Sequence, residues 1–379
     1  MRLFGFVLLA AAPTLLAAQA ASLTYTLGKD TLAIEQYTRT ASGISGETVT
    51  RTGAAVVRLQ YAMTLGKDGR PTSASLKRMQ GDGTPMPGAA ATEFKITFAA
   101  DSAIHEAVFA AGPQTRGLAV KGALVNWPVF VYGPTEVLAA LRKGGAVDSL
   151  PAVAVTGQIG YTGFTALGGD SVRLKGAPYP MVLRFDANNR LMSLDGSNTT
   201  NKVMATRGSG GLDIAAIARA MKPAGVLSAR ETVRAGFGPG GMVLVDYGRP
   251  SVRERTVWGG TLVPFDSIWR AGANDATHLF TTRTLTFGSV TLAPGMYTLW
   301  VQHTRTGTYL IFNKQTGQWG TEYDAAQDIG RVEMQAAAAP SFFETLSIAV
   351  TAAGGNHGAL NLSWGDKVMS APFTVSAAR

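Results

Sequence analysis

The chain has 379 residues, no cysteine and a formal net charge of +9. That length suggests two domains at about 100–200 residues each, and the missing cysteines exclude disulfides, thiolate metal sites and cysteine nucleophiles. A low charged fraction with 45 glycines favours short strands and tight turns over long surface helices, and the scattered basic residues form no dense arm, so nucleic acid is not an expected partner.

The N-terminus reads as an export signal. Met1-Arg2 is a short positive region, Leu3 to Leu16 is apolar but too short for a stable span, and Ala18-Gln19-Ala20 is an A-x-A cleavage site. Residues 1–20 are therefore expected to be removed, placing the protein in the periplasm or outside the cell. Loss of Arg2 with them leaves +8, from 33 basic against 25 acidic residues. No cysteine follows the apolar region, so a lipoprotein is not expected. No later stretch reaches ~18 unbroken apolar residues, so no transmembrane segment is expected after cleavage.

Residues 21–206 carry a period of two and read as an N-terminal antiparallel β domain. Leu23, Tyr25 and Leu27 alternate before Gly28-Lys29-Asp30, and Leu32 and Ile34 resume after it. Val57, Leu59, Tyr61, Met63 and Leu65 share one strand face before the hairpin signal Lys67-Asp68-Gly69-Arg70. Phe94, Ile96 and Phe98, then Met181, Leu183 and Phe185, repeat the pattern. One helix is expected, capped by Thr135, with Glu136 in its first turn, Val137, Leu138 and Leu141 on one face, and Gly144 as its stop. The expected fold is a curled antiparallel sheet closed by that helix, an architecture like the open barrels of lipid carriers.

Residues 207–227 read as a linker. Arg207-Gly208-Ser209-Gly210-Gly211 breaks the alternation, and a short amphipathic helix carries Ile214, Ile217, Ala218 and Met221 on one stripe before Pro223. The glycine cluster from Gly236 to Gly241 lacks the Lys and Ser/Thr of a phosphate loop and reads as a turn. Residues 228–379 then read as a C-terminal β domain, sandwich or jelly-roll-like. Val243, Val245 and Tyr247 alternate, and Leu279, Thr281, Arg283, Leu285 and Phe287 share a face. Pro294-Gly295 is a turn before Met296–Val301, with further strands at Tyr309–Phe312, Leu346–Val350, Ala359–Trp364 and Pro372–Val375.

Chemistry-bearing motifs are sparse. There is no Gly-x-Ser-x-Gly elbow and no Ser-x-x-Lys. His105-Glu106 opens like a zinc-protease motif, but Phe109 stands where the second histidine belongs. His278, His303 and His357 are isolated and no calcium-loop spacing occurs, so no metal and no cofactor are expected. No catalytic residue is assigned.

Arg, Trp, Asn and Asp concentrate between Asp246 and Asn313, where Arg253 and Arg255 bracket Glu254. The run Tyr247-Gly248-Arg249-Pro250, then Leu262-Val263-Pro264-Phe265, then Trp269 to Thr277 resembles the bacterial domain of unknown function 2911. Pro294-Gly295-Met296-Tyr297, Ile311-Phe312-Asn313, Trp319-Gly320-Thr321-Glu322-Tyr323-Asp324, Asp328 with Arg331-Val332, and Leu362-Ser363-Trp364 agree with it. The resemblance covers roughly residues 228–379, implies a β fold and assigns no activity. Glu254 departs from it, since the family usually has glycine between the two basic residues.

Candidate ligand-binding residues are Arg249, Trp258, Trp269, Arg270, Asn274, Asp275, Asp328 and Arg331. Arg270 offers a planar fork suited to a carboxylate or phosphate. Two arrangements are open. In the favoured one, Arg270 or Arg249 pairs with Asp275 or Asp328, Trp269 fills the core beneath, and Asn274 ties a loop. In the other, Trp269 and Trp258 floor a pocket, with Arg270 and Arg249 as anion contacts.

The expected function is that of a non-enzymatic envelope protein binding a small anionic or carbohydrate ligand, or an envelope partner. One alternative is a hydrolase-like enzyme with Asp275, Asp328 or Glu322 as acid and base and Arg270 as stabiliser, which needs two carboxylates beside Arg270. Another is an apolar-ligand carrier in the N-terminal domain. It needs a roomy cavity and fails if Tyr61, Met63, Phe94 and Phe98 fill the interior. Oligomeric state and cooperation between the domains stay open.

Overall fold

A computed structural model describes residues 19–142, 147–177, 179–199 and 201–376. It is mainly β, with two short α-helices among the described residues. The segment expected to direct export lies outside them except for Gln19 and Ala20, which begin the first strand opposite Arg39 and Thr38.

The N-terminal sheet has 15 strands. Eight follow one another as an antiparallel meander from Gln19–Leu27 to Gly112–Ala119. The strand Met204–Ser209 pairs with the first of these, and five more run back from it to Val147–Ala154, beyond which Leu124–Asn126 adds in parallel. The sheet curls until its two ends are within hydrogen-bonding reach. Arg116 Nη2 donates to Gly157 O at 2.6 Å, and His105 Nε2 lies 3.0 Å from Val155 O, so this histidine is a structural tie.

Alternation fills the inside of the curl. Val57, Leu59, Tyr61 and Met63 are buried while Gln60, Ala62 and Thr64 face solvent. Tyr61, Met63 and Phe94 are buried, and Phe98 packs against them. A cleft of ≈ 70 Å³ lies between Met63, Trp127, Leu138 and Leu174. Small-molecule pockets measure roughly 300–1,000 Å³, so this cleft is smaller than an apolar-ligand carrier needs.

Local expectations change where tertiary contacts intervene. Ala33, Glu35 and Tyr37, not Ile34, point into the curl from the strand Asp30–Thr40. A register shift between Tyr25 and Thr26 resets the facing, and Ile34 instead packs outside, beneath the second helix. That helix, Ile214–Ala220, is capped by Asp213, whose side chain accepts from Ala216 N at 2.9 Å. Ile214 and Ala218 bury against Val49 on the outer face of the sheet. The first helix, Thr135–Ala140, has Pro134 at its cap position. Thr135 does not cap it, because its hydroxyl donates backward to Tyr132 O at 2.6 Å. Gly144 lies outside the described residues. Arg207, Gly208 and Ser209 belong to a strand, where they pair with Leu23, Ser22 and Ala21.

Two buried carboxylates hold the first helix inside the curl. Glu35 accepts from Tyr25 OH and Tyr61 OH, each at 2.5 Å, and from the backbone N–H groups of Tyr132 and Gly133, each at 3.0 Å. Glu136 accepts from Tyr37 OH at 2.6 Å, Leu191 N at 2.9 Å and Arg207 Nη1 at 2.7 Å.

The C-terminal region is a sandwich of a seven-stranded and a four-stranded sheet. Their facing sides bury Val245, Tyr247, Leu279, Phe287, Leu299, Phe312, Leu362 and Phe373 in one core. The alternating run from Leu279 to Phe287 is two strands. Thr277–Thr281 belongs to the larger sheet and Leu285–Phe287 to the smaller, so the apolar period continues across the crossing. Likewise, the expected strands Ala359–Trp364 and Pro372–Val375 are parts of one strand, His357–Val375. No helix among the described residues is long and apolar enough to cross a membrane.

Candidate functional site

The segment from Trp269 to Thr277 is wound tightly on itself. Ile268–Trp269 pairs with Val301 and Gln302 of the strand Gly295–His303, and the chain then turns back through left-handed backbone at Ala271 (φ 49°) and Asn274 (φ 63°). Such conformations cost of order 1–3 kcal/mol each for non-glycine residues and persist where surrounding contacts over-determine them. Those contacts are present. Trp269 Nε1 donates to Gly272 O at 3.1 Å, Thr277 Oγ1 to Ala271 O at 3.0 Å, and Gly320 N to Asn274 O at 3.0 Å. Beneath the segment, the Trp269 and Trp364 rings stack at 5.4 Å, and Trp258 meets Trp269 edge-on at 6.1 Å.

Arg270 makes no ion pair among the described residues. Its Nη1 donates to Gly320 O at 3.1 Å, and its Nε is buried with no acceptor. Glycine is required at 320 because a Cβ there would fall inside contact distance of the Arg270 side chain and 2.5 Å from Asn274 O. Burial pushes the guanidinium down to about 10. The favoured pairing of Arg270 with Asp275 or Asp328 is thus overturned. Asp275 lies 3.7 Å from Arg230, and Asp328 accepts from Asn313 Nδ2 at 2.8 Å and Tyr323 OH at 2.5 Å. The carboxylates expected beside Arg270 are engaged elsewhere.

Arg270 lines a cavity of ≈ 470 Å³ between the C-terminal sandwich and the N-terminal sheet. The sandwich contributes Arg253, Arg255, Trp269, Arg270, Asn274, Trp300, Trp319, Tyr323 and Trp364; the sheet side contributes Leu27, Tyr179, Asn198, Asn201 and Lys202. No Asp or Glu is among the described residues of the wall. Trp319, 40% exposed, brings aromatic surface to the same wall.

The cations differ in their compensation. Arg253 is paired with Asp30. Arg255 donates to Val252 O at 2.9 Å and Ser251 O at 2.8 Å, carbonyls that leave its charge standing. Burial and neighbouring Arg253 push it down to about 10, against the weaker opposing pull of Glu344 and Asp30. Lys202 donates to Ser197 O at 2.7 Å, and burial, then Arg270, then Arg255, push its ammonium down to about 8.

Backbone strain gathers around the same cavity. Lys202 (φ 54°), Arg253 (φ 51°), Glu254 (φ 61°), Ala271 and Asn274 are all left-handed. Glu254 stands where the resemblance has glycine, and it holds that residue's conformation. Its carboxylate pairs at 2.8 Å with Lys29 of the first hairpin, which also packs Gly28 against Arg253 O so closely that no Cβ fits there. Departure from the pattern thus coincides with a contact to the N-terminal sheet.

Of the eight sequence-derived candidates, the cavity brings together Trp269, Arg270 and Asn274. Trp258 lies in the layer beneath and donates to Trp364 O at 3.0 Å. Arg249 is 3.0 Å from Glu231 and donates to Leu346 O at 3.1 Å, joining the sheets. Arg331 contacts Gln302 and lies over Tyr309. Asp275, Asp328 and exposed Glu322 are not in the wall, so this cavity lacks the paired carboxylates of the acid–base alternative. Sequence reasoning missed Lys202, whose only signal is a polar turn. It noted Arg255 and the segments holding Trp319, Tyr323 and Trp364, but could not join them.

Residues 228–373 match a family model described as "Protein of unknown function (DUF2911)". No curated protein matches the chain. Among solved structures, a DUF1089 family protein from Pseudomonas aeruginosa is similar at 12% identity and a TM-score of 0.31, covering 51% of this chain and 95% of that one.

Proposed function

We propose that the protein is an exported, non-enzymatic binding protein that holds a small anionic ligand in the cavity beside Arg270. One observation carries this reading. Six buried side-chain polar atoms lack a hydrogen-bond partner among the described residues, and the three nitrogen donors of the set, Arg270 Nε, Asn201 Nδ2 and Trp364 Nε1, all belong to the wall of this cavity. An unmet buried donor costs about 1–3 kcal/mol, a cost removed when a bound molecule brings an acceptor to it. The wall is also cationic, with no carboxylate among its described residues, which selects for negative charge.

Calorimetric titration with ring-matched probes tests this. Benzoate and phenyl phosphate are expected to bind where phenol and benzyl alcohol do not, and binding is expected to weaken with added salt. Equal binding of neutral and anionic probes, or none by any, would remove the anion reading.

Export rests on the Met1–Ala20 pattern. In a bacterial host the full chain is expected outside the cytoplasm with a mature N-terminus at Ala21. An intact N-terminus recovered from the cytoplasm would sink that part of the reading.

A further inference from the structure

Three cations in the cavity wall lack a carboxylate partner among the described residues: Lys202 on the sheet side, and Arg255 and Arg270 on the sandwich side. Each is positioned by backbone carbonyls rather than left on a loose side chain. Lys202 sits in a closed turn, where Thr199 Oγ1 accepts from Asn201 N at 3.2 Å and Lys202 N at 3.4 Å. Three held positive charges around one cavity exceed what a single carboxylate neutralises. Aromatic surface from Trp319 and Tyr323 lies in the same wall.

Building on the anion reading of this cavity, we propose that the ligand carries a doubly charged phosphate monoester. It is gripped at once by Lys202 from the N-terminal sheet and by Arg255 and Arg270 from the C-terminal sandwich, with its organic body against Trp319. A phosphate monoester brings three acceptor oxygens and nearly two charges at neutral pH, which matches the fork of an arginine and the point charge of a lysine together.

The arrangement has a pH signature. Lys202 is held down to about 8 by burial, Arg270 and Arg255. The other ionisable groups in the wall are Arg253, already matched by Asp30, and the tyrosines Tyr179 and Tyr323. A dianion beside the ammonium reverses the shift, so the complex keeps the proton that the ligand-free protein loses above about pH 8. Affinity is therefore level between about pH 6, where the second phosphate proton is lost, and about pH 8, and it falls on either side.

The test is calorimetry on the full chain with phenyl phosphate and benzoate as probes, for the wild type, Lys202→Gln and Lys202→Arg. Phenyl phosphate is expected to bind about tenfold or more tightly than benzoate at neutral pH, in keeping with one additional charge-assisted contact. Lys202→Gln is expected to erase that advantage. Lys202→Arg does not titrate in this range and is expected to keep phosphate affinity while losing its decline above pH 8. Equal affinity for the two probes, or wild-type phosphate affinity in Lys202→Gln, overturns the phosphate assignment and leaves the anion pocket standing. Binding of neither probe overturns both. Soluble esters and lipid phosphates share the headgroup, so vesicles of phosphatidic acid in phosphatidylcholine separate the two sources. Vesicles compete with phenyl phosphate if the pocket takes lipid headgroups and do not if it takes soluble esters.

Discussion

Arg270→Met is expected to weaken phenyl phosphate binding by roughly 10–100-fold while leaving the ligand-free protein as stable as the wild type or more so. The binding loss follows from a charge-assisted hydrogen bond worth about 1.5–3 kcal/mol, with tenfold in affinity for every 1.4 kcal/mol. The stability result follows from what Arg270 lacks. It has one hydrogen bond, to Gly320 O, no carboxylate partner among the described residues, and a buried Nε without an acceptor. A buried charge without a partner opposes folding, and an apolar side chain of similar length removes that cost while forfeiting about 1 kcal/mol for the lost bond to Gly320. Thermal unfolding and titration on the same variant decide the matter. A lowered melting temperature with unchanged anion affinity would return Arg270 to a structural role. Arg270→Lys is expected to fall between, since it keeps the charge and loses the fork.

Glu35→Leu is expected to cost roughly 4 kcal/mol or more of unfolding free energy. It strands two tyrosine hydroxyls and two backbone N–H groups inside the curl, each unmet donor costing about 1–3 kcal/mol, partly offset by apolar burial. Glu35→Gln keeps the shape and one acceptor oxygen, so a smaller loss of about 1–3 kcal/mol is expected. Acid titration adds a second readout. Burial outweighs the four donors and holds the Glu35 carboxyl above its usual range. The folded state therefore binds this proton more readily than the unfolded chain does. The contribution is fully present below the unfolded value and is lost as pH rises through the folded one. Unfolding free energies measured across mild acid should show that decline in the wild type and not in Glu35→Gln. Parallel curves for the two proteins would mean that Glu35 takes up its proton equally in the folded and unfolded states, with no shift from burial.

The two buried carboxylates inside the curl, Glu35 on a strand and Glu136 on the first helix, contrast with the three cations of the cavity. Glu35 and Glu136 are buried and saturated, which is how polar groups serve a fold. Arg270, Arg255 and Lys202 are partly buried and, among the described residues, answered only by backbone carbonyls, which is the contrast the anion proposal rests on. The same measure also sets aside His105, whose ring is satisfied by Val155 O.

Strand content, inward residues such as Tyr61, Met63 and Leu183, the hairpin at Gly69 and the amphipathic stripe of the second helix were legible in the sequence, because each depends on backbone period and turn chemistry within a few residues. So was the concentration of Trp, Arg, Asn and Asp around Trp269 to Thr277, which is a local property. Tertiary structure alone decided the rest. Glu35 faces inward because a register shift against the neighbouring strand resets the pleat and a helix from residue 214 onward covers Ile34. The Leu279–Phe287 run serves two sheets because the apolar period is the same on either side of a core. Above all, whether Arg270 meets a carboxylate or a cavity depends on which distant side chains arrive beside it. The fold sends Asp275 toward Arg230, Asp328 toward Asn313 and Tyr323, and Lys202 and Arg255 to the wall it shares. Charge compensation is a sum over neighbours in space, and no local pattern carries that sum.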